Sequence, residues 1–500
     1  MTRLPRQPDE ADAPNMLRPI DVSAAPDARM VTRGGLALLG VTLQGGVRFL
    51  TSFLVGRLTS PASLAVVSSG ISLANILSLT WPTSTGGAAS RFIARARGEG
   101  GNPEAVARFL GVRSLQAIVV LGLSSIPLWV LIGGDVGQSW VIALLVAGYS
   151  GYAFARGVHF GAGQSSRQIK WDLVTSTLGV AGLLGMLLAG ASPIYVLVPL
   201  GLAYLAYSCA CWPWGARGEV NSDLRRELDS FVAWASLGTL ASAGFVQFAM
   251  VTAVVVAGRH EAGMFAAAMA LAAPAAMIAN SLSMVLFPSM AEALGRGDRR
   301  GMENQLDRST ALLGVLVVAI FGVLVVGARP LVHIVWGHAY AQTAALIPAL
   351  LVPGLLRSLA APSQGAISTA GRGGVVYSSM ASVAGFMIGA TVWWKMPADW
   401  GVEGVALGYA LGTAVIAVAI YVKAWRDHGQ HWGRASVRWC GAILLMTGLN
   451  VLLQRAELPL AYDAALAVCF VAIWFVWVRY DALAALRLLL RRSGSAPSEP

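Results

Sequence analysis

Apolar residues run through this chain in long blocks, and short polar or charged stretches separate them. A block of about 20 residues, wound as a helix, crosses the ~30 Å hydrocarbon core of a bilayer. On that basis the chain predicts about fourteen spans: 34–57, 63–86, 110–133, 138–160, 172–190, 193–214, 231–257, 262–288, 309–328, 342–369, 374–394, 401–423, 436–454 and 459–478. Pro288, Pro330 and Pro459 are natural stops or starts for them. The fold class expected is all-α: a polytopic membrane protein with both termini on one side.

One block breaks the apolar pattern. Arg48 sits near the middle of 32–58, where a charge costs roughly 2.5 to over 10 kcal/mol in hydrocarbon. Gln44, Arg48, Thr51 and Val55 share one helical stripe, which suggests a helix lining a wet cavity. The alternative is that Arg48 reaches the interface or is held by a neighbouring helix. Arg357 repeats the anomaly in the tenth span, among Pro348, Pro353, Gly354 and Pro362. Those prolines predict a kinked or broken helix, a common mark of transporter sites. Helical rise puts Arg48 about 13 Å from Arg57 and Arg357 roughly 22 Å from Arg372. The two arginines thus fall at similar depths. Two guanidinium forks facing one cavity would suit a diphosphate. Packing roles with polar neighbours are the alternative.

Composition narrows the class. Only 12% of residues are charged and mean hydropathy is +0.65, against about 25% charged in soluble domains. The net charge of +11 could point to nucleic acid, but its distribution argues otherwise. Five of the 36 Lys and Arg lie in one set of loops (Arg57, Arg259, Arg329, Lys395, Arg455), and Arg48 and Arg357 lie inside spans. About 29 fall in the alternate loops and tails or at the span ends beside them, which is the bias of cytoplasmic segments. No nucleic-acid partner is therefore expected. Residues 1–33 and 493–500 read as disordered cytoplasmic tails, with no signal peptide. The four cysteines have no metal or redox spacing. Several tryptophans near span ends (Trp140, Trp212, Trp214, Trp336, Trp400, Trp432, Trp439) predict an interfacial belt.

A weak repeat at an offset of about 200 residues sets Arg57-Leu-Thr-Ser-Pro-Ala-Ser-Leu-Ala against Arg259-His-Glu-Ala-Gly-Met-Phe-Ala. Six spans per unit give parallel topology, with an axis along the membrane normal. The domains expected are an N-lobe at 34–228, a C-lobe at 229–427, and two further spans at 428–492.

Several stretches resemble a known family. Arg57-Leu-Thr-Ser-Pro-Ala-Ser-Leu with Thr85-Gly-Gly-Ala-Ala-Ser-Arg-Phe-Ile-Ala is similar to the first two spans of polysaccharide flippases. These belong to the multidrug/oligosaccharidyl-lipid/polysaccharide exporter superfamily. Ala155-Arg-Gly-Val-His-Phe-Gly-Ala-Gly-Gln with Trp171-Asp-Leu is similar to that family's loop after span four. Glu261-Ala-Gly-Met-Phe-Ala-Ala-Ala and Leu286-Phe-Pro-Ser-Met-Ala are similar to its spans seven and eight. The chain departs from it at Pro61-Ala62-Ser63-Leu64, where the family commonly has a Gly-aromatic pair. The resemblance implies a lipid flippase or exporter without ATPase parts.

The sequence agrees with that implication. It has no phosphate-binding loop, no zinc motif and no carboxylate near a span centre. An acid-poor, arginine-bearing interior favours an anionic substrate over a cationic drug. Gln247 and Asn280, with Gln44, are further cavity candidates. Arg91, Arg95 and Arg97 are candidates for first contact with a headgroup at the inner leaflet. The expected substrate is a polyprenyl-pyrophosphate-linked oligosaccharide, moved to the outer leaflet of the cell membrane for surface polysaccharide assembly. Partners expected are this lipid-linked glycan and membrane lipids, with polysaccharide-assembly enzymes as an option. A coupling ion, Na⁺ or H⁺, is left open, and no cofactor or metal is expected. Alternatives are a peptidoglycan-precursor flippase or a drug exporter of the same fold. A membrane glycosyltransferase or polymerase is the alternative from another class, disfavoured by short outer loops.

Overall fold

The computed structural model describes residue 22 and residues 30–295, 298–369, 372–430, 432–456 and 458–479. The expected tail at 493–500 and most of that at 1–33 lie outside them. Sixteen α-helices occupy the described residues. They are α1 (Met30–Leu58), α2 (Pro61–Thr80), α3 (Pro82–Gly98), α4 (Pro103–Leu131), α5 (Ser139–Ala162), α6 (Ser165–Leu188), α7 (Val198–Cys211) and α8 (Ser222–Ser242). Then come α9 (Phe245–Gly295), α10 (Arg299–Val326), α11 (Ala328–Val335), α12 (Thr343–Thr369), α13 (Arg372–Lys395), α14 (Gly401–His428), α15 (Gly433–Ala456) and α16 (Leu460–Trp477). Among the described residues, eleven helices are long and apolar enough to cross a membrane. The chain is an all-α, multi-pass membrane protein.

The helix starts follow from local chemistry. Ser60, Asn102, Asn221 and Asp298 each turn a side-chain oxygen onto a first-turn backbone N–H. Pro61 and Pro103 take the first helical position, where a missing N–H costs nothing. Gly163 and Gly429 close α5 and α14 in the left-handed conformation. The second expected span is two pieces, α2 and α3, which meet at Trp81 and Pro82. α9 is sharply kinked at Gly258 (φ 76°, ψ 176°), beside the predicted loop at Arg259. Such a φ favours glycine.

The packing is duplicated. In the first half α1 packs on α6, α4 and α7 on α5, and α6 on α7. In the second, α8 packs on α13, α10 and α14 on α12, and α13 on α14. These are the same span-to-span contacts shifted by six spans. They describe two pseudo-symmetric lobes of parallel topology. The lobes meet through α3 and α8 at one end, where the Phe92 and Phe231 ring centroids lie 5.5 Å apart, and also at the end carrying Arg57. There Gly263 of α9 lies against the carbonyl of Pro61, and Phe53 faces Trp336 with ring centroids 6.2 Å apart. The expected tryptophan belt needs correction: Trp336, Trp432 and Trp439 are buried in protein. Trp432, for example, donates to Asp307 at 2.6 Å.

The last two helices pack on α10. Trp474 donates to the Val315 carbonyl at 2.9 Å and Asn450 to that of Val325 at 2.8 Å. Arg329 of α11 completes the joint. It donates to the carbonyls of Leu453 (2.9 Å) and Leu458 (2.8 Å) and pairs with Asp463 at 3.4 Å. Asp463 is fully buried, so its charge depends on that partner. Breaking a buried pair costs about 3–5 kcal/mol, and the lower end fits here because Arg329 keeps some exposure. Arg329→Ala should therefore lower the thermal midpoint clearly. Adding Asp463→Asn to it should recover part of the loss.

Candidate functional site: a cationic cavity between the lobes

A cavity of about 840 Å³ lies between the lobes. From the first lobe α1 supplies Arg48, Phe49 and Ser52, and α2 supplies Ser68 and Asn75. From the second come Thr239 and Ser242 of α8, Gln247 of α9, Arg357 and Gln364 of α12, and Tyr409 of α14. Arg48 and Arg357, one from each lobe, line the same space. No Asp or Glu is among the described lining residues. Two guanidiniums without a carboxylate, walled largely by apolar helix, make an electropositive site for an anion.

Arg48 is placed by neutral partners. Its Nη2 donates to Asn75 Oδ1 at 2.9 Å and to the Tyr149 hydroxyl, and its guanidinium carbon lies 5.1 Å from the centre of the Tyr149 ring. Tyr149 belongs to an aromatic stack with Tyr152 and Tyr204. Arg48 thus ties α1 to α2 and α5 while lining the cavity.

The stripe drawn through Arg48 is turned differently from the sequence expectation. Thr51 and Val55 are buried within protein, and Phe49 and Ser52 join Arg48 at the cavity. Gln44 is not among the lining residues. Its amide donates to Tyr149 (3.4 Å) and accepts from Arg156 (2.6 Å). The residue that sequence reasoning missed is Arg156. Counted there as a basic residue of a loop, it lies inside α5 and is buried. It donates also to the Tyr152 hydroxyl at 3.1 Å. Asp172, likewise buried, accepts from Gln168 at 3.1 Å. Arg156, Gln168 and Asp172 all approach the same face of α1 at Gly40.

On the other wall, α12 runs unbroken from Thr343 to Thr369 with Pro348, Pro353 and Pro362 inside it. The tenth span, expected to be kinked or broken, is not broken. A membrane bundle accommodates such prolines, because neighbouring groups can re-satisfy the freed carbonyls. Besides the second span, the seventh is interrupted, between the end of α8 and the start of α9, and both sides of that break line the cavity. Arg357 Nη1 donates to the carbonyl of Ser242, the last residue of α8, at 3.3 Å. A cation at the negative end of a helix is well placed.

Gln247 lines the cavity as expected. The side chain of Asn280 lies outside what the structure describes. Arg91, Arg95 and Arg97 sit on α3, away from the cavity. Arg95 pairs with Glu99 (3.0 Å) and Glu227 (2.9 Å), on a surface exposed enough that such pairs contribute little. Arg97 donates to the Gly161 and Ala162 carbonyls at the end of α5. Arg91 lies 5.4 Å from the Phe231 ring centre and is exposed.

A family model described as "Polysaccharide biosynthesis protein" matches residues 162–345. No curated protein matches the chain significantly. Among solved structures, an inward-facing multidrug-resistance MATE family transporter of the MOP superfamily is similar at 17% identity. The match has a TM-score of 0.60 and covers 78% of this chain and 94% of that one. A eukaryotic MATE transporter matches with a TM-score of 0.58 and 14% identity, over 84% of this chain and 98% of that one. A MOP superfamily transporter from Pyrococcus furiosus matches with a TM-score of 0.57 and 17% identity, over 82% and 97%. The chain has the fold of MOP superfamily transporters. The family model covers part of the stretch that resembles polysaccharide flippases in the sequence, and the likeness to the MOP superfamily structures shows the fold over most of the chain.

Proposed function

We propose that the protein exports a polyprenyl-pyrophosphate-linked oligosaccharide from the inner to the outer leaflet of the cell membrane, for surface polysaccharide assembly. The observation that carries this reading is the meeting of Arg48 and Arg357 in one cavity with no acid among its described lining residues. Arginine forks bind phosphate oxygens bidentately, so two of them suit a diphosphate. Serine, threonine, glutamine and asparagine side chains around them offer hydrogen bonds to sugar hydroxyls. The polyprenyl tail would stay in lipid while the headgroup occupies the cavity.

The excess of basic loops on one side puts both termini in the cytoplasm. Exposed Arg91 then offers an early contact for the headgroup at the inner face. Rocking of the two lobes about the cavity would expose it to each side in turn, and contact at the Arg57 end would close the outer side. The membrane potential assists outward movement of negative charge by about 2.3 kcal/mol per charge per 100 mV. Support also comes from the Pyrococcus furiosus relative, described as having a binding pocket of reversed polarity that suggests a different function.

The helix pair α15 and α16 supports a second reading with the same headgroup chemistry, a peptidoglycan-precursor lipid. Depletion of the protein in cells labelled for lipid-linked sugars tests both. The proposal expects a surface-polysaccharide precursor to accumulate on the inner leaflet. Accumulation of the peptidoglycan precursor supports the second reading, and accumulation of neither overturns both.

A further inference from the structure

The Arg48 guanidinium is gripped by neutral groups. Asn75 Oδ1 and the Tyr149 hydroxyl accept from the same Nη2, and the Tyr149 ring lies against the guanidinium. Asn75 is only 5% exposed, yet it lines the cavity beside Arg48. Among the described residues the buried acids are Asp172 and Asp463. Each is turned elsewhere, Asp172 to Gln168 and Asp463 to Arg329.

A guanidinium at this depth would be most cheaply stabilised by a carboxylate. This protein places a carboxamide there, which has the same shape and one acceptor oxygen but no charge. We infer that Asn75 is a specificity-determining residue: its neutral amide fixes the Arg48 fork while leaving the positive charge uncancelled, so that the compensating anion is the substrate's. The inference rests on the carrier reading above. It adds that anion preference depends on what holds the arginine as well as on the arginine itself. An aspartate at position 75 would keep the geometry, shorten and strengthen the bond, and occupy the charge. Hold and selectivity would then move in opposite directions, which a packing role alone cannot produce.

The test is binding of farnesyl pyrophosphate, with farnesol as the neutral control, to the purified full chain. Wild type should prefer the pyrophosphate. Asn75→Asp should weaken pyrophosphate binding by at least about tenfold, leave farnesol binding unchanged, and hold or raise the thermal midpoint. Asn75→Ser, neutral and shorter, should stay within about threefold of wild type for the pyrophosphate. Wild-type affinity in Asn75→Asp overturns the inference, as does equal loss in the Asp and Ser variants. If Asn75→Asp does not fold, Ser52→Asp brings a carboxylate to Arg48 from one turn along α1. It should show the same loss, and unchanged affinity there overturns the inference too. Failure of the carrier reading looks different: Arg48→Ala and Arg357→Ala would bind farnesyl pyrophosphate like wild type.

Discussion

Replacing either cavity arginine by alanine is expected to reduce glycan-lipid export about ten- to a hundredfold. A hydrogen bond to a charged group contributes about 1.5–3 kcal/mol, and each 1.4 kcal/mol is a factor of ten. The two variants should differ in stability. Arg48 joins α1, α2 and α5 through Asn75 and Tyr149, so Arg48→Ala should also lower the thermal midpoint. Arg357 makes a longer bond to the Ser242 carbonyl, also contacts Tyr409, and is exposed in the cavity, so its loss should perturb folding less. Lysine at either position should give intermediate export, because it keeps the charge and loses the planar fork. Transport by membrane-inserted, correctly folded protein, with a melting curve beside it, separates the two contributions.

The second large effect is expected from Gly263→Leu. A Cβ at Gly263 would collide with the carbonyl oxygen of Pro61 and come within 2.9 Å of its Cα. Both obstructions are backbone, so neither can swing aside as a side chain would. The substitution therefore wedges α9 from α2 where the lobes meet. Overpacking of this kind costs about 1–3 kcal/mol, and here the cost falls on one state of the transport cycle. The lobes should rest apart at the Arg57 end, and export should fall more than about tenfold with the cavity residues untouched. Spin labels at Thr59 and Arg259, both exposed near that seam, should report a longer distance in the variant than in wild type. An unchanged distance with unchanged export would remove this seam from the cycle.

Much of this was legible in the sequence because lipid is an unforgiving solvent. A bilayer demands apolar blocks of fixed length, so the all-helical, multi-pass class could be read without knowing any contact. Arg48 and Arg357 stood out for the same reason: a charge deep in such a block must have a partner or a cavity. Their meeting in one cavity needed coordinates, since helix rise gives depth and not direction.

Direction is where the sequence reading failed. Gln44, Thr51 and Val55 share a stripe with Arg48, but Gln44 is held by Tyr149 and Arg156 and Thr51 and Val55 are buried, while Phe49 and Ser52 line the cavity with Arg48. Nothing in helical spacing says which of two neighbouring faces is wet. Arg156 was hidden by its position near a span end, where arginine ordinarily marks a cytoplasmic loop. Only the run of α5 to Ala162, with Arg97 on its last carbonyls, places it inside. The prolines of α12 do not break it, and whereas the α2–α3 break is marked by a proline, Pro82, the cavity-lining break at Ala243 and Gly244 carries none. Small residues and an arginine on a free carbonyl suffice to hold that break.

The most direct measurement is leaflet transfer in proteoliposomes containing the purified protein and a fluorescent polyprenyl-pyrophosphate-linked oligosaccharide. Wild type should move the lipid across the bilayer, faster when the potential favours outward negative charge. The Arg48→Ala/Arg357→Ala double variant should move it no faster than empty vesicles. Equal transfer by wild type and the double variant would contradict the proposal that the two arginines carry the diphosphate.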